Sequence, residues 1–184
     1  TERVNWNEVR KIFAIRSDLF YFNTSGLGPS SNVVLNELDK INRQLAQSGS
    51  DGRKYFTMAR KVVGNFINAD PSQLSFTRNT TEGMNLAAKA IPFSAGDEII
   101  LTDHEHVGGA SPFIALQKSK GVNVRIAKLD PLGNHHLNSI KSLISKKTKA
   151  IVFCHVCCSN GMILPAKELI NLCRKNNIYS VVDG

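Results

Sequence analysis

The 184 residues of this chain suffice for one well-buried domain or two small ones, and 42% apolar with 21% charged residues is ordinary for a globular protein. No apolar run approaches the ~20 residues of a membrane span, and Thr1-Glu2-Arg3 lacks the basic-then-apolar order of a secretion signal. We therefore expect a cytoplasmic protein without a membrane partner. The net charge of +8 is scattered, and its densest cluster, at 146–149, has no interleaved aromatic residues to stack on bases, so we expect no nucleic-acid partner.

The first part of the chain is predicted to be helical. A glycine-rich turn at 23–29 is followed by apolar residues at helical spacing across 31–47 and again across 56–67. Pro71 ends the second of these helices, because proline disfavours helical backbone in the residue before it. We therefore divide the chain into an N-terminal helical segment, 1–70, and a second domain, 71–184.

From residue 71 onward, short apolar runs alternate with helical patterns. The runs predict strands at 74–77, Glu98–Thr102, 122–127, 150–156 and 178–183. The patterns predict helices at Thr80–Ala90, 111–119, 137–145 and 165–175, the second opening with Pro112 in its first turn. This alternation indicates right-handed βαβ units and therefore an α/β fold with a mostly parallel sheet.

Polar residues follow four of the predicted strands at their carboxyl ends, where parallel sheets bind ligands. Thr80 and Thr81 begin a helix whose unpaired amides and dipole favour a bound phosphate. His106 follows the second strand, and Asp183 ends the last one. Each residue also has a purely structural alternative. The threonines could only cap their helix together with a neighbour, His106 could be an ordinary loop histidine, and Asp183 could cap a helix or form a surface ion pair.

The four cysteines give a weaker signal. Cys154 and Cys157 have the spacing of a redox or metal motif. Strand alternation would send them to opposite faces if the strand extended that far, and no second cysteine pair follows to complete a zinc site. We expect reduced cysteines and no metal.

Five sequence strings resemble one known family, the fold-type I pyridoxal-phosphate (PLP) enzymes of aminotransferase class V, and within it the isopenicillin-N-epimerase-like and cysteine-desulfurase-like branches. The strings are YFNTSGLGP at 21–29, TRNTTEG at 77–83, DHEHVGG at 103–109, HVCCSNG at 155–161 and VVDG at 181–184. They occur in the family's order from about residue 20 to the end of the chain. The resemblance implies the N-terminal part of the PLP-binding large domain, an incomplete three-layer α/β/α sandwich.

The resemblance also implies roles for individual residues. The cofactor-binding residues would be Asn79, Thr80 and Thr81 at the phosphate, His106 on the pyridine ring, Cys158 near the ring hydroxyl, and Asp183 at the ring nitrogen. His106 and Asp183 would also be catalytic, since a carboxylate that keeps the ring nitrogen protonated lets the ring accept electrons. Asn23 and Gly26 would contact the substrate, although their turn could be only a turn.

Two departures from the family pattern stand out. Many cysteine desulfurases carry an asparagine where this chain has Cys158, and a thiol is a weak donor, which favours the epimerase-like branch. The lysine that forms the Schiff base in the family lies beyond its aspartate, and we expect it outside these 184 residues. The chain also begins without methionine, as a processed or cut chain would.

Together the residues and the resemblance predict a PLP-dependent enzyme that acts at the α-carbon of an amino acid or amine, by transamination, epimerisation or elimination. The family implies a homodimer, and the 184 residues alone should be inactive. The alternative is a non-catalytic truncated homologue or split subunit that binds a phosphate ligand or a partner chain. A generic nucleotide-binding domain is disfavoured, because 77–83 has neither the P-loop nor the Rossmann glycine pattern.

Overall fold

The computed structural model describes residues 4–24, 26–133 and 135–184. Its contacts divide the chain between Ser75 and Phe76 into two compact units, each described by itself below. The predicted domain boundary at residue 70 stays a prediction.

The N-terminal unit is built from helices. They are α1 (Trp6–Lys11), α2 (Asn32–Ser48), α3 (Arg53–Ile67) and a 3₁₀ turn at Pro71–Gln73. Sequence reasoning placed α2 and α3 and did not find the short α1. Gly64 brings α3 close to the 3₁₀ turn, since a Cβ there would lie 2.7 Å from the Ala69 carbonyl oxygen. The unit has little buried side-chain surface: α1 and α2 contain no buried residue, and Gly64 is the buried residue of α3.

The second unit is a parallel α/β sheet. Its elements are α4 (Thr80–Ala90), β1 (Glu98–Thr102), α5 (Val107–Lys120), β2 (Asn123–Ala127), α6 (His136–Lys141), β3 (Thr148–Cys154), α7 (Ala166–Lys175) and β4 (Tyr179–Asp183). The strands are all parallel and lie in the order β2-β1-β3-β4. The predicted parallel α/β fold is therefore confirmed.

Apolar side chains fill both faces of this sheet. On one face, Ile99 and Leu101 of β1 belong to a buried cluster with Met84 of α4 and Phe113 of α5. Ile100, which points the other way, belongs to a second cluster that includes residues of α6 and α7. The sheet is therefore the middle of three layers, and its carboxyl-terminal edge is the one that α4 and α5 approach with their N-termini.

Four sequence predictions need correction. Helix α6 ends at Lys141 and not at residue 145, because the chain turns at 142–143. Residues 74–77 are not a strand: Leu74 has extended backbone (φ −99°, ψ 133°), but the segment pairs with no strand of the described residues. Helix α5 begins at Val107 and contains Pro112 in its second turn, which removes one backbone hydrogen bond. Strand β3 ends at Cys154 rather than 156, where the chain turns into the loop closed by the Val156–Ile163 bridge.

The described residues contain neither a candidate membrane span nor a candidate metal cluster. No helix within the described residues combines the length and the apolar character that a bilayer crossing requires. Across the same residues, His, Cys, Asp and Glu side chains do not gather in threes around any point that could hold a metal ion.

Candidate cofactor site

The start of α4 leaves its two threonines available to a ligand. The Asn79 side-chain oxygen caps the helix by accepting from the Glu82 amide at 2.9 Å, and the Glu82 carboxylate accepts from the Arg78 amide at 2.7 Å. Thr80 and Thr81 are therefore the first two helical residues and not the cap, which corrects the structural alternative for them. Their amides, like all amides of a first helical turn, have no intrahelical acceptor. This is the geometry of an anion site.

The start of α5 is fixed by His106. Its Nδ1 accepts a hydrogen bond from the Gly108 amide at 3.1 Å, so that the side chain caps the helix it precedes. This contact places the proton of the neutral ring on Nε2. The imidazole is exposed and its orientation is defined before any ligand is bound. Whether it stacks on a pyridine ring stays a prediction.

Two adjacent glycines allow the N-terminus of α5 to lie against both α4 and β4. A Cβ at Gly108 would collide with the Thr81 hydroxyl, and a Cβ at Gly109 would lie 2.9 Å from Asp183 Oδ2. Both distances are shorter than real Cβ atoms tolerate, so a side chain at either position would require the Thr81 hydroxyl or the Asp183 carboxylate to turn away. The Gly108-Gly109 pair thus brings together Thr81, His106 and Asp183, residues from three separate elements.

An open groove of ≈ 460 Å³ runs from this point between α4 and α5. Thr81 and His106 line the groove at the N-termini of the two helices. Asn85, Ser111 and Ala115 line it further along them. The groove offers hydroxyl, amide and imidazole groups beside an anion-binding helix terminus.

Glu105 is a component that sequence reasoning did not assign. Its Oε1 accepts from the Thr102 hydroxyl, while its Oε2 is buried and has no hydrogen-bond partner among the described residues. Burial raises the pKa of Glu105 most; hydrogen bonds from the Thr102 hydroxyl and the Cys154 amide act to lower it, and the charge of Asp183 adds a smaller upward contribution. The available signal was its place beside His106, directly after a buried strand.

Two thiols lie beneath the same loop. The Cys154 and Cys157 sulfurs approach one acceptor, the His104 carbonyl oxygen, at 3.6 and 3.5 Å. They therefore converge instead of facing opposite ways, because β3 ends at Cys154 and the chain turns there. All four cysteines are free within the part of the chain that the structure describes.

The environments of these thiols differ. Burial raises the pKa of Cys154 to about 12. Burial also acts to raise the pKa of Cys157, but the Ser159 hydroxyl at 3.1 Å and the Ser159 and Asn160 amides stabilise its thiolate more, and the net pKa is lowered. Cys158, the predicted cofactor contact, is exposed on the loop that follows β3, at the same end of the sheet as Asp183.

The predicted substrate contacts lie in the N-terminal unit. The Gly26 and Leu27 amides both donate to the Asn23 carbonyl oxygen at 3.1 Å, and Tyr21 donates to the Leu27 carbonyl at 2.6 Å. A Cβ at Gly26 would lie 2.8 Å from the end of the Asn23 side chain, so a larger residue there would require that side chain to move. The role of Asn23 and Gly26 at a substrate stays a prediction.

The fold and this arrangement define an α/β domain of the kind found in PLP-dependent transferases. The sequence model of the aminotransferase class-V family matches residues 30–184. The chain belongs to that family, as its motifs predicted, and the family uses pyridoxal phosphate.

Individual relatives agree with this assignment. A probable cysteine desulfurase of Pyrococcus abyssi is 28% identical over 96% of this chain and 46% of its own length. The apo structure of a cysteine desulfurase from Thermococcus onnurineus superposes with a TM-score of 0.86 at 25% identity, covering 99% of this chain and 48% of that one. A C-DES mutant with glycine covalently linked to its PLP cofactor superposes at 0.83 and 24% identity, covering 91% and 47%, and shows the fold. The chain thus spans about half the length of these relatives.

Proposed function

We propose that the protein containing this chain is a PLP-dependent enzyme that acts at the α-carbon of an amino acid or amine. The chain contributes the phosphate, ring-face and ring-nitrogen contacts of the cofactor site. The observation that carries the proposal is the convergence of Thr81, His106 and Asp183 on Gly108-Gly109, where a Cβ on either glycine would collide with a neighbour. Family membership supplies the identity of the ligand.

The residues present fit the cofactor. Its phosphate would lie at the N-terminus of α4, where the Thr80 and Thr81 amides and hydroxyls donate and the helix dipole favours a dianion. Asn79 is occupied through its oxygen as the helix cap, and its side-chain NH₂ remains a donor on the same turn. Asp183 ends β4 with its carboxylate held against Gly109, where it would accept from a protonated ring nitrogen.

Each chain residue then has a distinct task. The cofactor supplies an electron sink for charge that develops at the substrate α-carbon. Asp183 holds the ring nitrogen in its charged form, because a neighbouring carboxylate favours the protonated base. His106, fixed through Nδ1, presents Nε2 and the ring face towards the groove and is the candidate to position the cofactor ring and to move a proton.

The reaction and assembly are proposed at the level of the family. The substrate class is an amino acid or amine; cysteine is the substrate that the names of several relatives suggest. The preference for the epimerase-like branch, drawn from Cys158, stays a prediction beside these desulfurase relatives. We propose a homodimer in a reducing compartment such as the cytoplasm, in keeping with four free cysteines, and a Schiff-base lysine outside this chain.

The decisive experiment is a titration of the full-length protein with PLP and with pyridoxal, which lacks the phosphate. A visible absorbance band, and a covalent lysine adduct after borohydride reduction, are expected. Thr81→Val should weaken PLP by roughly tenfold, the loss of one charge-assisted hydrogen bond of about 1.5 kcal/mol, and leave pyridoxal nearly unaffected.

Asp183→Ala and Thr57→Val complete the set. Asp183→Ala should weaken both ligands equally and reduce turnover far more than it changes the PLP-to-pyridoxal ratio. Thr57→Val, in α3, removes a hydroxyl that donates within its own helix and should change neither ligand. No visible band with the wild type would refute the function, and a Thr81→Val protein that loses PLP and pyridoxal alike would refute the phosphate assignment.

A further inference from the structure

Two carboxyl groups influence each other at the carboxyl-terminal edge of the sheet, where the proposed cofactor site needs one. Glu105 lies in the loop between β1 and α5, and Asp183 ends β4. Strand β3 lies between β1 and β4, with Cys154 opposite Asp183 in register. The charge of Asp183 acts on Glu105 across this strand end.

The two carboxyl oxygens of Glu105 differ in their hydrogen bonding. Oε1 accepts a hydrogen bond from the hydroxyl of Thr102, a residue that is 4% exposed. Oε2 is buried and has no hydrogen-bond partner among the residues that the structure describes. A buried carboxylate oxygen without a donor is costly to keep charged, and a carboxyl in that position takes up a proton instead. When two carboxyls share a site, the one in the drier environment becomes the neutral member.

No lysine or arginine among the described residues acts on Glu105. From β4 it faces Asp183, and from β3 and the turn after it the thiols Cys154 and Cys157, which interact with it as like charges when ionised. On its own loop it is flanked by two histidines. His106 Nδ1 accepts a hydrogen bond from the Gly108 amide, and His104 Nε2 lies 3.9 Å from Asp103 Oδ1.

The geometry points to Glu105 as a neutral positioning residue of the cofactor site: it stays a carboxylic acid at working pH, so that Asp183 is the single anion offered to the cofactor ring. This role rests on the proposed PLP function. Burial is the largest influence on the pKa of Glu105 and raises it, as the partnerless Oε2 requires; the Thr102 hydroxyl and the Cys154 amide act to lower it, each by less than burial, and the charge of Asp183 adds to the rise. Glu105 also anchors the loop to Thr102, which sets the residue that follows it, His106.

Glu105→Gln in the full-length protein separates this role from an anionic one, because glutamine keeps the shape and can never ionise. The infrared spectrum at neutral pH should contain a carboxylic-acid C=O stretch that Glu105→Gln removes and that Glu168→Gln, at an exposed site in α7, leaves in place. Glu105→Gln should bind PLP within about twofold of the wild type and leave the pH midpoint of the visible band unchanged. Glu105→Ala should weaken PLP binding and shift that midpoint, whereas Glu105→Gln should keep both close to their wild-type values.

The following outcomes would contradict a neutral Glu105. An acid band that survives Glu105→Gln, or a visible-band midpoint that moves by a pH unit or more in the glutamine variant, would overturn the role. If Glu105→Gln fails to fold, labelling the wild type with ¹³C-glutamate tests the band directly, and a band that does not shift overturns the proposal. Failure of the wild type to bind PLP would overturn the proposed function, while the infrared band would still decide whether Glu105 holds a proton.

Discussion

Gly109→Ala adds one methyl group at the point where α5 meets Asp183. Gly109 is buried, and the new Cβ would lie 2.9 Å from Asp183 Oδ2 and 3.6 Å from the Met84 methyl. The second contact is ordinary, but the first is short by about 0.5 Å, and a carboxylate oxygen at the end of a two-bond side chain yields only by turning away. The substitution therefore displaces the carboxylate proposed to pair with the cofactor nitrogen.

The magnitude follows from what that pair contributes. A hydrogen bond to a charged group is worth about 1.5–3 kcal/mol, so Gly109→Ala should weaken PLP and pyridoxal alike by roughly 10- to 100-fold. Helix propensity acts in the other direction on stability, since alanine is favoured over glycine by about 1 kcal/mol in a helix interior. We therefore expect a protein whose free energy of unfolding changes little while its affinity for both ligands falls by that factor.

Gly83→Ala is the matched control. Gly83 lies in α4, and its Cβ would meet nothing closer than Thr77 Oγ1 at 3.8 Å. It should raise the free energy of unfolding by about 1 kcal/mol without a loss of affinity. Absorbance titration with both ligands and urea unfolding measure the two quantities. Gly109→Ala binding PLP as tightly as the wild type, or Gly83→Ala losing as much, would refute the close approach of α5 and Asp183 as the basis of the site.

Other features give independent predictions. In the native protein, exposed Cys158 should react first with iodoacetamide and Cys154 should stay unmodified up to about pH 10, because burial raises its pKa to about 12; mass spectrometry of peptides after a timed quench gives the order, and early modification of Cys154 would contradict the described packing. The Ser145 hydroxyl, at 2.6 Å, lowers the pKa of Glu98, so Glu98 contributes stability that is present above its unfolded pKa of about 4.3 and is lost as pH falls through the lower folded value. Urea unfolding should therefore find Glu98→Gln less stable than the wild type at pH 7 and the two converging near pH 2, and an equal difference at both would disprove the linkage. Phe113→Ala, which empties a fully buried position between α5 and the sheet, should lower the free energy of unfolding by about 3–5 kcal/mol, and a loss below 1 kcal/mol would show that the face is not packed as described.

Local patterns predicted the second unit well, for reasons that particular elements make plain. Thr80–Ala90 and Glu98–Thr102 lie at the predicted residues, because each has a clear period, a boundary signal and a packing partner that matches it. Residues 74–77 have the right pattern and the extended backbone at Leu74, but a strand also needs a neighbour, and a single sequence cannot show whether one is available. The sequence pattern alone therefore predicts extended backbone but does not show whether the segment pairs with another strand.

The same distinction applies to the site. Thr81 could be singled out because it lies in the first turn of a helix, His106 because it follows β1, and Asp183 because it ends β4. The place of Glu105 beside His106 was visible, but its burial was not, since a carboxylate in a polar loop looks solvated until the packing of Thr102 and Cys154 around it is known. The close approach of Gly109 to Asp183 likewise could not be predicted from the sequence. A glycine pair indicates only that the backbone can approach a neighbour closely, and it does not show which neighbour.

The sheet order also has a consequence for how the protein is made. Asp183 lies about a hundred residues after Thr81, and it reaches the start of α5 only once β4 has paired with β3. Contacts so distant along the chain form late, because the loop between them must close first. A chain still emerging from the ribosome would therefore have α4 and α5 in place well before it could hold the cofactor ring. Under the proposed function, the ring-nitrogen contact at Asp183 would therefore form only after β4 has paired with β3.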